Sequence, residues 1–216
     1  MSQKCKIDYL TFRVQGRIIK IDPDIYRKIF NIHLDPPNRK YNGCITSVRI
    51  SADGCPVVVL SKRPVPLARF VMSAQKGQIV DHRNRNPLDN RRCNLRFVTK
   101  RQNNLNKKCN NDTGFFGVCI KHQGKRTYCS AKFMLACGKE IVFQLPDSPA
   151  NRVLAAFARD RFVLQAGEED YAPLNFPCWK FEPFRSILLN EDLKKYKTKR
   201  STDTQLEFSF MKNFKK

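Results

Sequence analysis

An Asp81-His82 pair, followed by Asn94 and Asn103 across a stretch crowded with arginine, is the part of this chain best equipped for chemistry. Hydrolysis of a phosphodiester needs a base to activate water and positive charge near the phosphate oxygens. His82 titrates near neutrality and is the candidate base. Asp81 and the amide oxygen of Asn103 are hard oxygen donors, suited to Mg²⁺ or Mn²⁺ rather than zinc. Mg²⁺ also tolerates a site with few protein ligands and several waters. No small-molecule cofactor is expected.

The elements that must position these groups are legible around them. Ile79 to His82 reads as a short strand, then comes a long loop rich in Arg and Asn, then a second strand over Leu95 to Val98. Thr99 and Gln102 have capping-box spacing, which starts a helix and puts Asn103 in its first turns. Adjacent strand residues point to opposite faces. Twist or a bulge at the strand end must therefore bring Asp81 and His82 to one site.

The text VDHRNRNPLDNRRCNLRFVTKRQNNLN, residues 80–106, resembles the homing-endonuclease-like branch of the HNH family. Carried over by position, the resemblance implies His82 as general base, Asp81 as a metal ligand and Asn103 as the second metal ligand. It implies Asn94 as the catalytic-motif Asn that braces the loop between the strands. Asp89-Asn90-Arg91 matches the family's loop, where Asn and Asp side chains hold turns. One departure stands in the preceding segment: many relatives read LHRF, whereas this chain reads Leu67-Ala68-Arg69-Phe70. Ala68 cannot donate to a phosphate, which leaves the activity of the site open. Arg69, Arg83, Arg85, Arg91, Arg92 and Arg96 are candidate DNA contacts.

The charge of the whole chain points to the same partner. Lys plus Arg number 41 against 19 Asp plus Glu, a formal +22. Such an excess implies a polyanion, and neutralising phosphates releases counterions. Double-stranded DNA is the expected partner; RNA is supported by charge alone. No apolar run approaches the roughly 20 residues of a membrane span, and the N-terminus lacks a signal-peptide core. The protein is expected inside a cell, in a cytoplasm or nucleoid, or in a nucleus or organelle if eukaryotic. The nine cysteines are scattered with no zinc-knuckle spacing and read mostly as reduced, small apolar residues.

Residues 1–75 read as short strands around one helix that Asp22-Pro23 would start, with a loop at residues 35–38. Past the motif, residues 114–145 read as a three-stranded antiparallel sheet over 116–121, 128–135 and 140–145. Residues 149–165 follow as a helix capped by Ser148. Gly114-Phe115-Phe116-Gly117-Val118, Tyr128 to Lys132, Gly138-Lys139 and Ala172 to Pro177 resemble the ethylene-response-factor (APETALA-two type) DNA-binding domain. That resemblance implies a sheet laid in the major groove and backed by a helix. Lys121, Lys125, Arg126, Lys132 and Lys139 are its candidate DNA contacts, although the groove-facing Arg and Trp residues of the plant domains are not clearly present. Trp179 and nearby Phe residues read as packing groups. The basic cluster Lys194, Lys195, Lys197, Lys199 and Arg200 reads equally as a nuclear address, a phosphate-gripping arm or a solvated face.

The expected fold is α+β: an N-terminal strand-rich region (1–75), a ββα-metal HNH motif (76–110), an ethylene-response-factor-like domain (114–177) and a basic tail (178–216). The expected function is a metal-dependent DNA endonuclease of homing type, set in a mobile element. The alternative is a sequence-specific DNA-binding regulator with a retired nuclease site.

Overall fold

A computed structural model describes residues 8–30, 45–60 and 62–196. The chain divides into two compact units, Met1–Asn106 and Lys107–Lys216. The expected loop at 35–38 lies outside the described residues, as do Lys197, Lys199, Arg200 and the side chains of Lys194 and Lys195. Mixed α and β structure fills both units, and every strand pairing within the sheets is antiparallel.

In the first unit, strands β1 (Leu10–Val14) and β2 (Arg17–Ile21) form a hairpin. Its two turn residues, Gln15 and Gly16, take positive φ angles of 48° and 77°, the geometry that matches strand twist in a two-residue turn. Alternation sends Ile19 and Ile21 inward, both fully buried. Helix α1 (Pro23–Ile29) begins on its proline as expected and buries Ile25 and Ile29, four residues apart on one face. Asp22 stands at the cap position but makes no side-chain cap bond; its Oδ2 instead accepts the backbone N–H of Arg92 at 2.9 Å. Strands β3 (Ile45–Ile50), β4 (Pro56–Leu60) and β5 (Arg63–Pro66) make a three-stranded sheet in that order. The apolar run after it folds as a short helix, α2 (Leu67–Val71). Ile19, Ile21, Ile25, Val58, Leu67, Phe70 and Leu95 come together as one core. Burial of each such side chain contributes about 1.5–3 kcal/mol. Strands β6 (Ile79–His82) and β7 (Leu95–Val98) pair next to it, and helix α3 (Lys100–Leu105) packs on both.

In the second unit, β8 (Val118–Gln123), β9 (Arg126–Met134) and β10 (Glu140–Pro146) form the three-stranded sheet, with β9 central. Helix α4 (Pro149–Gln165) backs it, and Ser148 Oγ accepts the Asn151 N–H at 3.2 Å. Ala155, Ala156 and Ala158 are fully buried, so the helix approaches the sheet closely. Trp179 is 3% exposed and meets Phe157 edge-on at 5.4 Å, a packing role. Beyond it lies helix α5 (Phe184–Asn190).

A buried charged hub ties the second unit together. Asp160 is fully buried and accepts the N–H groups of Asn175 and Phe176, both at 2.9 Å, with the Arg159 guanidinium at 3.2 Å. Burial pushes the Asp160 carboxyl up, against those stabilising donors. Asn175 in turn accepts the Phe116 N–H at 2.7 Å, fastening the turn before β8. Gly117 in that turn has φ 66°, and a Cβ there would lie 3.0 Å from both Lys132 O and Arg159 Cγ. Glycine is the residue that fits.

Candidate active site

The strand pairing puts Asp81 opposite Arg96 and His82 opposite Leu95. Asp81 is 8% exposed, and its Oδ2 accepts Arg96 Nε at 2.9 Å and Nη2 at 2.8 Å. His82 is half-buried, with Nε2 3.3 Å from Asn90 Oδ1. The Asn90 amide is oriented by its other end, because Nδ2 donates to Pro87 O at 2.8 Å. An oxygen therefore faces the imidazole, which places the proton on Nε2 and leaves the Nδ1 lone pair open. Burial lowers the His82 pKa from its usual value, so the ring is held neutral.

The loop between β6 and β7 is built from its own polar side chains. Asn94, buried, donates to Asp89 O at 2.8 Å and Asn84 Oδ1 at 2.9 Å, and accepts the Asn84 N–H at 3.1 Å. Asp89, 2% exposed, takes both arms of Arg91 at 2.7 Å and Asn84 Nδ2 at 2.9 Å. Arg91 holds the Asp89 carboxyl well below the usual carboxylate range. The N-terminal hairpin grips the same loop: Lys20 N–H donates to Leu88 O and Asn90 N–H to Lys20 O, both at 2.9 Å. Arg92 adds a bidentate pair with Asp24 at 2.7 and 2.6 Å.

Helix α3 carries the remaining group. The capping box is present in full: Gln102 N–H donates to Thr99 Oγ1 at 3.2 Å and Thr99 N–H to Gln102 Oε1 at 2.9 Å. Asn103 is half-buried, and its side chain makes no hydrogen bond among the described residues. Asn106, at the helix C-cap, donates to both Asp81 oxygens and to His82 O. Residues three apart share a helix face, so Asn103 lies one turn earlier on the side of the helix that carries Asn106.

The arginines divide by environment. Arg69, expected at a phosphate, donates instead to the carbonyls of Ala74, Gln75 and Gln78 and braces the turn before β6. Arg96, also expected at DNA, is buried against Asp81. Arg91 and Arg92 are engaged with Asp89 and Asp24. Arg83 is exposed and Arg85 half-buried, the latter in left-handed backbone at φ 61°. Ala68 is 7% exposed within the core cluster, so its side chain points into the apolar interior.

In the second unit, register places Lys121, Arg126 and Lys132 on the sheet face opposite the one that buries Cys129, Ala131 and Phe133. Lys132 Nζ lies 3.3 Å from Glu140, which raises its pKa. Lys125 and Lys139 are exposed in the turns at either end. Cys55, Cys93, Cys109, Cys119, Cys129, Cys137 and Cys178 are free thiols. Among the described residues no cluster of three His, Cys, Asp or Glu is poised to hold a metal, and no helix is long and apolar enough to cross a membrane.

Two antiparallel strands, a loop braced by Asn94 and a helix thus surround the Asp81-His82 pair. Residues 74–105 match the family model described as HNH endonuclease, so this segment carries an HNH endonuclease motif. No curated protein and no solved structure matches the chain.

The roles of Asn84 and Asn106, the contact of Asn90 with His82 and that of Arg96 with Asp81 escape a reading of the residues. Arg96 lies directly across from Asp81 once the two strands are paired in register. Asn106 is one helical turn past Asn103, and that spacing is its signal.

Proposed function

We propose that this protein is a metal-dependent endonuclease of homing type that hydrolyses phosphodiester bonds in double-stranded DNA. The observation that carries the reading is the half-buried His82, its Nε2 3.3 Å from Asn90 Oδ1, next to the Asp81 carboxylate at the end of β6. His82 Nδ1 takes a proton from a water molecule, whose oxygen forms the new bond to phosphorus. The bond from phosphorus to the leaving deoxyribose oxygen breaks, and that oxygen takes a proton from solvent. Asn94 keeps the loop closed under the imidazole through its three hydrogen bonds.

The residues present fit a hard divalent cation. Asp81 supplies a carboxylate with an unsaturated oxygen, and Asn103 supplies an uncommitted amide oxygen. A bound Mg²⁺ or Mn²⁺ would polarise the phosphate and stabilise the leaving oxygen. Arg83 and Arg85 supply positive charge toward the backbone of the duplex.

The second unit supplies DNA affinity through the face carrying Lys121, Arg126 and Lys132, in the manner of an ethylene-response-factor sheet in a major groove. Ala68 packs in the core, away from the Asp-His pair's own hydrogen-bond partners, which is compatible with cutting.

The test is incubation of supercoiled plasmid with the protein and Mg²⁺ or Mn²⁺. Nicked or linear product that disappears in EDTA and in His82→Ala is the expected result. Salt-sensitive DNA binding with no strand breaks under any divalent ion would instead establish the regulator reading.

A further inference from the structure

Asn106 lies one residue outside the segment matched to the HNH motif, is 5% exposed, and touches both members of the Asp-His pair. Its Nδ2 is 3.0 Å from Asp81 Oδ1, 2.9 Å from Asp81 Oδ2 and 2.9 Å from His82 O. Two amide hydrogens account for this set, one shared by the carboxylate and one given to the carbonyl. The two oxygens of Asp81 are then unequal. Oδ2 accepts Arg96 twice and a share of Asn106, which saturates it. Among the described residues, Oδ1 accepts only the other share of Asn106.

We propose that Asn106 is a positioning residue that, with Arg96, turns the Asp81 carboxylate so that Oδ1 alone is presented to the divalent ion. The inference rests on the nuclease reading above. The same amide fixes the His82 carbonyl, and with it the point where the imidazole leaves the strand. Adjacent strand residues ordinarily diverge; one amide gripping both anchors them to a common support. That support is the helix bearing Asn103, one turn earlier on the same face. Helix α3 thus brings an oxygen ligand and the brace for the other ligand on one short rigid element, held at its start by the capping box. Hydrogen bonds to ligating carboxylates set their orientation, and removing such a partner typically weakens metal binding about 10–100-fold.

The experiment is titration of Mn²⁺ into the full-length, metal-free protein without DNA, followed by calorimetry and electron paramagnetic resonance. Wild type, Asn106→Ala and His82→Ala are compared. The expected result is Mn²⁺ binding weakened about 10–100-fold in Asn106→Ala and unchanged in His82→Ala. The far-UV circular dichroism of Asn106→Ala and its DNA affinity in EDTA should match wild type, which a merely structural role would not permit alongside the metal defect. Equal Mn²⁺ affinity in wild type and folded Asn106→Ala overturns the proposal while leaving the nuclease reading intact. Wild type that binds no Mn²⁺ and cuts no DNA overturns both. Should Asn106→Ala fail to fold, wild type decides: the Asn106 side-chain amide signal in a ¹⁵N spectrum should broaden at substoichiometric Mn²⁺, and a signal left sharp refutes the assignment.

Discussion

Arg96→Met tests whether the Asp81 carboxylate is held by charge rather than by shape. The substitution keeps the length and apolar stem of the side chain and removes the guanidinium. Both partners are nearly sealed, with side-chain exposures of 6% for Arg96 and 9% for Asp81. Loss of one member of a buried pair typically costs about 3–5 kcal/mol, because the other charge is left without its counterion. Here Asn106 remains on Asp81, so the lower end of that range applies. With a urea m-value of about 1–3 kcal/mol/M, the midpoint of the first unit should fall by about 1–3 M. The assay separates the units through the single tryptophan, Trp179, which reports the second unit by fluorescence, while circular dichroism reports both. The dichroism transition should move earlier in Arg96→Met and the fluorescence transition should stay in place. Adding Asp81→Asn should recover most of the loss, since removing both charges is far less costly than removing one. A midpoint shift under about 0.3 M in Arg96→Met, or a double variant no better than the single, would refute the argument.

Because burial lowers the His82 pKa from its usual value, the acid limb of the cleavage profile should have its midpoint below 6.5; a pH–rate profile with its acid midpoint at or above 6.5 contradicts the placement. His82→Ala should lose cutting by at least about 100-fold, the ordinary contribution of a general base, with duplex affinity in EDTA unchanged in a filter-binding assay. Gly117→Ala should destabilise the second unit by about 1–2 kcal/mol from left-handed backbone alone, and further through the 3.0 Å approach to Lys132 O; an unshifted Trp179 melting curve would count against this. Lys121→Gln and Lys132→Gln should each reduce the slope of log affinity against log salt by about one, and a slope that does not change would remove the sheet face from the interface.

Legibility in the sequence followed the range of each interaction. The helix starting at Pro23, the capping box at Thr99 and Gln102 and the Ser148 cap all depend on neighbours within four residues. Each could be read from spacing alone. Asp22 shows the limit: its type and place say cap, yet Arg92, seventy residues away, takes its carboxylate. Arginine at the site was harder still. Charge and proximity to the motif suggest phosphate contacts for Arg69 and Arg96, but only the fold shows which guanidinium has carbonyls or a carboxylate within reach. Asn90, Asn84 and Asn106 were invisible as roles because an asparagine in a polar loop or at a helix end is usually a turn or cap residue. Asn90 and Asn106 are set apart by burial, and Asn84 by its bonds to Asp89 and Asn94, and both need three dimensions.

The backbone exchange between Lys20 and the 88–90 stretch has a practical meaning for anyone wishing to move this nuclease element elsewhere. A fragment cut to the 74–105 boundaries would leave behind the hairpin that completes its loop, together with the two acids that receive Arg92. The transplanted loop would then trade the Lys20 backbone bonds that fix it for bonds to water, which impose no geometry. The smallest portable version therefore includes two stretches of chain, the hairpin through Asp24 and the motif through Asn106.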